Sequence, residues 1–182
     1  MPDYFLAPCS LIDGNCKKVG VVCSSVTTST LFGLCDDLPL PPPDTSLPAY
    51  VNVVDSDKWI AEVNNPRGIE VKFKAIDNCV PSFRLNGDQE SRCDGMLLYE
   101  NNLTFVELKD SASGGWIAKG RNQLIITIQN FSANNDIATY SKIEAYICNK
   151  QRPLTVVNIS NELQKFKDET GCILKVDRNI FI

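Results

Sequence analysis

Two apolar runs, residues 92–99 and 103–109, are separated by Glu100, Asn101 and Asn102 alone. Apolar segments of this length joined by so few polar residues read as a β-hairpin, and the pairing then fixes which side chains meet. With a turn centred near Asn101, paired positions sum to about 202, which sets Asp94 near Leu108 and within one step of both Glu107 and Lys109. Strand alternation keeps Glu107 and Lys109 on one face together with Leu103 and Phe105. Two carboxylates and one ammonium are therefore expected at one end of a sheet, at the mouth of an apolar surface.

The flanking pattern supplies the rest of the fold class. Glu70, Lys72 and Lys74 alternate with Val71 and Phe73, which predicts a half-buried strand over residues 70–76. Before it, Asp57, Trp59, Ile60 and Val63 have the spacing of a short amphipathic helix stopped by Asn64, Asn65 and Pro66. After the hairpin and Gly114-Gly115, the residues Trp116, Ile117, Leu124, Ile125, Ile128 and Phe131 recur at helical spacing, although Ile125, Ile126 and Thr127 are weak helix formers. A strand over 142–148, an extended segment over 154–159, a helix containing Leu163 and Phe166, and a last strand over 172–182 complete the order. Ser160 and Gly171 are the expected N-cap and C′ residue of that helix. The class is α/β (α+β): a mixed β-sheet with helices packed on it.

Residues 1–50 form a Cys/Pro-rich segment, expected to pack on or precede a core domain at residues 51–182. The segment holds Cys9, Cys16, Cys23 and Cys35, and its run Pro39, Pro41, Pro42, Pro43 and Pro48 reads as an extended connector. The spacing of the first three cysteines matches neither a zinc knuckle nor an iron–sulfur site. No basic flank followed by an apolar stretch opens the chain, and no apolar run approaches the roughly 20 residues a bilayer requires. A cytoplasmic protein with no membrane partner is the expectation, its eight cysteines reduced and mostly small core hydrophobes.

Histidine is absent. That excludes His-based triads, Cys-His dyads, zinc hydrolases with His ligands and nucleases with a His base. Hydrolytic chemistry must then come from carboxylates, lysine or a metal. Gly114-Gly115 lacks the Lys-Ser/Thr of a P-loop, so no nucleoside triphosphate is expected.

Two neighbouring carboxylates repel unless one is protonated or a cation lies between them, and Mg²⁺ is commonly held by one or two carboxylates plus water. Asp94, Glu107 and the Leu108 carbonyl are the candidate ligands, with Mn²⁺ an alternative ion. The pattern Asp-x12-Glu-x-Lys in a hairpin, followed by helix, strand, helix and strand, resembles the PD-(D/E)XK superfamily of restriction-endonuclease-like nucleases. The resemblance runs from about residue 51 to the C-terminus, with Cys93 standing where that motif has proline. It implies a Mg²⁺-dependent deoxyribonuclease of restriction, phage defence or DNA processing. In it Asp94 and Glu107 bind metal, and Lys109 orients or deprotonates the attacking water.

The same string occurs a second time as Asp57, Glu70 and Lys72, but across a helix-like segment and Pro66; there it reads as a solvated strand edge. Glu70 or Glu62 could add a third carboxylate, and Lys119, Arg121 and Gln123 on the following helix could face the site or a phosphate backbone. Trp59 and Trp116 read as core anchors. The chain carries net charge −4, divided as −7 over residues 1–110 and +3 over residues 111–182. Affinity for DNA would then need a homodimer, a larger protein complex or a channel. The competing readings are a nuclease-fold module that binds a protein or nucleic acid without cutting it, and a structural subunit docked through its cysteine-rich segment.

Overall fold

The computed structural model describes residues 5–6, 22–37, 47–80, 90–151 and 159–182. Its central feature is the hairpin of β6 (Gly95–Tyr99) and β7 (Asn102–Lys109), closed by the two-residue turn Glu100-Asn101. Glu100 takes a left-handed φ of 49°, costly for a residue with a Cβ, and its carboxylate is held by both Nη atoms of Arg67 at 3.0 and 3.2 Å.

On one side of the hairpin lie β5 (Val71–Ala75) and β1 (Ser24–Thr27), both joined in antiparallel fashion. On the other, β8 (Lys142–Asn149) and β9 (Ile173–Val176) add in parallel. Parallel neighbours need crossovers, and α1 (Trp116–Asn134) and α2 (Ser160–Thr170) lie in those connections. The six-stranded sheet thus has the order β1-β5-β6-β7-β8-β9.

A second, four-stranded sheet has the order β10-β4-β2-β3, built from β2 (Leu31–Cys35), β3 (Tyr50–Asn52), β4 (Ala61–Asn64) and β10 (Asn179–Phe181). Alternation along β7 sends its side chains to two cores. Leu103 and Phe105 pack with Leu124, Ile128 and Phe131 of α1 and Phe166 of α2, whereas Val106 and Leu108 join the cluster holding Phe32, Leu34, Val63 and Ile180 of the second sheet. The architecture is mixed α/β in three layers, helices on one face of the larger sheet and the smaller sheet on the other.

Several sequence expectations change here. The helix expected around Asp57 to Val63 is a 3₁₀ turn, Ser56–Lys58, capped by the Asp55 carboxylate, followed by strand β4. Ala61 and Val63 are fully buried while Glu62 and Asn64 are half-buried, so burial in the second sheet selects period two over helical spacing. The Trp59 ring lies against Gly33 of β2, where a Cβ would come within 1.9 Å of Trp59 Cγ.

The single last strand is instead β9 and β10, which belong to different sheets. Between them Arg178 accepts from Glu62 N at 2.9 Å and donates through Nη2 to Trp59 O at 3.1 Å. Ser160 is the first helical residue of α2 rather than its N-cap, whereas Gly171 closes that helix with φ 71° as expected. Residues 24–35, from the segment set apart by composition, supply β1 and β2 and so contribute to both sheets.

The expectation of uniformly reduced cysteines is also revised: Cys23 and Cys79 form a disulfide. Cys35, Cys93, Cys148 and Cys172 are free and buried. Cys9, Cys16, prolines 39 and 41–43, and most of the extended segment expected over 154–159 lie outside the described residues. Among the described residues no helix is long and apolar enough to cross a membrane.

Candidate active site

The register places three chemistry-bearing side chains at one end of the larger sheet. Asp94 directly precedes β6, and its Oδ2 accepts the Leu108 backbone N–H at 2.5 Å. Glu107 and Lys109 follow at alternate positions of β7, and their side chains form an ion pair through Glu107 Oε1. Lys109 Nζ also donates to Gln123 Oε1 at 3.0 Å, and Gln123 Nε2 donates to Arg92 O at 2.9 Å. Helix α1 approaches closely because position 120 is glycine: a Cβ there would meet Glu107 Cγ at 3.1 Å and Ile147 Cγ2 at 3.2 Å.

Burial dominates the electrostatics. Asp94 is 8% exposed and Glu107 0%. Loss of water, then the charge of Asp36, pushes the Asp94 carboxyl up to about 8, against the opposing Leu108 N–H and Lys109. Burial and then Asp94 push Glu107 well above the usual carboxylate range, with Lys109 pulling the other way. Burial works against the Lys109 charge, but Glu107 and Asp94 outweigh it and hold the ammonium protonated more firmly than usual.

Beside this constellation lies a pocket of about 230 Å³ lined by Lys109, Ser111, Ser113, Gly114, Gly115, Trp116 and Lys119. It sits where α1 begins, and Gly115 at φ 79° precedes the helix without a side-chain cap. No acidic residue occupies the first turn, so its N–H groups and two lysines favour an anion. The connecting loop is fixed by Asn149, 1% exposed, which accepts from Ser111 N at 3.3 Å and donates to Ser111 O at 2.9 Å.

The proposed accessory residues divide. Gln123 contacts Lys109, and Lys119 lines the pocket, whereas Arg121 pairs with Glu162 of α2. Glu70 is exposed and adjoins Val71, which pairs with Tyr99 at the turn end of the sheet; the site end of β5 is Ala75, opposite Gly95. Glu62 lies in the second sheet between Gly33 and Asn179. Neither adds a carboxylate to the constellation.

Two carboxylates were missed. Asp36 follows β2 and Asp77 follows β5, and both raise the cost of ionising Asp94. Burial, then Asp77, pushes Asp36 up to about 6. Asp77 pairs with Arg92, itself 5% exposed, at 3.2 Å. The available signal was positional: Asp77 stands just after the strand over residues 70–76, but only the folded register brings that strand end beside Asp94.

The donor set suits a hard divalent cation. Glu107 Oε2 is buried with no hydrogen-bond partner, and two buried carboxylates lie beside one ammonium. Among the described residues no group of three or more His, Cys, Asp or Glu could hold a metal. A site with two carboxylates would therefore rely on water or carbonyl oxygens for the rest of the shell, as Mg²⁺ sites commonly do. Compared with protein-family models, curated proteins and solved structures, the chain matches nothing.

Proposed function

We propose that this protein is a Mg²⁺- or Mn²⁺-dependent nuclease that hydrolyses phosphodiester bonds in DNA, with a core of the restriction-endonuclease-like PD-(D/E)XK type. The observation that carries this reading is the buried, unpartnered Glu107 Oε2 beside Asp94 and Lys109. The order β5, β6–β7 hairpin, α1, β8 supports it as well.

In this reading Asp94 and Glu107 hold the ion, with the Leu108 carbonyl as a further ligand. When bound, the ion supplies charge neutralisation at the phosphoryl oxygens and a more acidic water. Lys109, held by Glu107 and Gln123, orients the attacking water and offsets developing negative charge. Lys119 and the first turn of α1 receive a backbone phosphate in the adjoining pocket. General acid–base help supplies only about 10²–10⁴-fold, well short of typical enzymatic acceleration, which is why a chain without histidine needs the ion.

Restriction, phage defence or DNA processing in the cytoplasm belongs to the same reading. The net charge of −4 favours a dimer or partner that supplies further phosphate contacts. It also favours the second reading, a nuclease-fold module that binds a protein or nucleic acid without cutting.

The test is cleavage of plasmid and linear DNA by the wild type and by Lys109→Ala, with Mg²⁺, with Mn²⁺ and with EDTA. Cation-dependent cutting lost in the variant is expected. A folded wild type that neither cuts nor binds Mn²⁺ calorimetrically would leave the binding module as the better account.

A further inference from the structure

A chain of contacts leads from the disulfide to Lys109. Cys23 precedes β1 and is bonded to Cys79, 56 residues away, in the turn that follows β5. The Cys23 carbonyl also accepts from Ala75 N at 2.8 Å, so the staple ties the end of the β1–β5 ladder to the turn that follows it.

The turn is tight. Asn78 adopts φ 61°, and Cys79 N and Val80 N both donate to Ile76 O, at 3.1 and 2.8 Å. It presents two acceptors to the buried Arg92: the Asp77 carboxylate at 3.2 Å and the Val80 carbonyl. Arg92 O then accepts from Gln123 Nε2, and Gln123 Oε1 accepts from Lys109 Nζ. Every link is a hydrogen bond or ion pair of a buried or half-buried group: the turn holds the Arg92 guanidinium and, through Asp77 N–H to Cys93 O at 3.2 Å, the backbone beside the carbonyl that Gln123 grips.

We propose that the Cys23–Cys79 disulfide is a positioning element for Lys109, which makes the competence of the site depend on the oxidation state of this cysteine pair. The consequence for catalysis rests on the nuclease reading; the positioning does not. Reduction by a dithiol breaks the S–S bond, leaves a thiol on each cysteine and converts the dithiol to its own disulfide. Cys23 is 2% exposed and Cys79 1%, so thiolate attack requires the turn to open first. In a reducing compartment the staple is held by this burial, and opening of the turn becomes the controlled step.

The experiment is reductive methylation of the full chain, with Lys109 labelling read by mass spectrometry against Lys175. That residue lies in β9 and pairs with Glu144 away from the turn. Oxidised wild type, dithiothreitol-reduced wild type and oxidised Asp77→Ala are compared. The Lys109 side chain is 16% exposed, and loss of its held geometry is expected to raise the labelling ratio about tenfold in the second and third samples, the scale of one charge-assisted hydrogen bond released.

An unchanged ratio in a reduced protein with native circular dichroism overturns the proposal. If the reduced chain unfolds, Asp77→Ala decides, because it keeps the disulfide and removes the side-chain acceptor that pairs with Arg92. The assay uses neither DNA nor metal. A raised ratio in a protein that neither cuts DNA nor binds Mn²⁺ would refute the nuclease reading and leave the positioning intact; in a cutting enzyme, Asp77→Ala lowers kcat with KM unchanged.

Discussion

The Leu108 backbone N–H donates to Asp94 Oδ2, so the residue between the two site side chains of β7 holds the third across the hairpin. Leu108 is 4% exposed, so burial shields that donor. Asp94→Ala therefore leaves a buried N–H without an acceptor and costs about 1–3 kcal/mol more than Asp94→Asn, whose amide oxygen can still accept. Urea unfolding of the two metal-free variants measures the difference.

The same pair separates fold from ligand binding. Asp94→Asn is expected to weaken Mn²⁺ binding by more than about tenfold, the scale seen for outer-shell partners of metal sites, while leaving the far-ultraviolet circular dichroism native. Calorimetric titration of both proteins with Mn²⁺ reads it; equal affinity would remove Asp94 from the ligand set.

Stability of the metal-free protein should fall as pH rises. The folded Asp94 holds its proton up to about pH 8 against an ordinary value of 3.8, and Asp36 shifts in the same direction to about 6. Between those limits the folded chain binds more protons than the unfolded one, so unfolding becomes easier with increasing pH across about 4 to 8. Melting curves over that window should show a declining Tm, flattened in Asp94→Asn. A Tm that climbs across the window in the wild type would contradict the burial of these carboxylates.

Gly95→Ala tests how closely the site strand is packed. An added Cβ would lie 2.5 Å from Phe73 Cε2 and Cζ, and 3.0 Å from Lys74 O, and Phe73 is itself buried. Overpacking of this kind costs about 1–3 kcal/mol, and here the strain falls one residue from Asp94. Denaturant unfolding should show the loss.

Removing the staple should cost more. Cys23→Ser with Cys79→Ser opens a loop of 56 residues, for which chain entropy gives about 4 kcal/mol. A calorimetric Tm lower by about 10 °C is expected for a chain of this size.

The hairpin, β5, α1, β8 and α2 were legible because each carries its own period in residues that pack on a neighbour close in sequence. That Asp94, Glu107 and Lys109 come together was legible for the same reason, since a short turn converts sequence spacing into spatial pairing, although Gly95 pairs with Val106 and so sets Asp94 opposite Glu107, one residue from the expected Leu108. The second sheet was not, because β4 and β10 are four and three residues long and meet by pairing Val63 with Ile180. Segments that brief carry too few alternations to outweigh the helical spacing of Trp59, Ile60 and Val63. Asp36 and Asp77 were invisible for a related reason, since their closeness to Asp94 comes from two strands whose neighbours are set by tertiary contact. The disulfide was hidden by a compartment argument that took no account of which cysteines the β1–β5 ladder brings together.

The turn at Glu100-Asn101 is a remote ruler for the site. Asn101 anchors it to the stretch before β8 through Thr139 O at 2.7 Å and Ser141 N at 2.8 Å. Lys109 lies eight residues from the turn, roughly 26 Å along an extended strand, yet every pairing between them is counted from there. A slip of one residue would carry Glu107 and Lys109 through the sheet to the side of Val106 and Leu108, emptying the site without touching any atom in it. Insertions or deletions at this distant corner should therefore act like direct mutations of Asp94, Glu107 and Lys109, while substitutions that preserve the count should be silent.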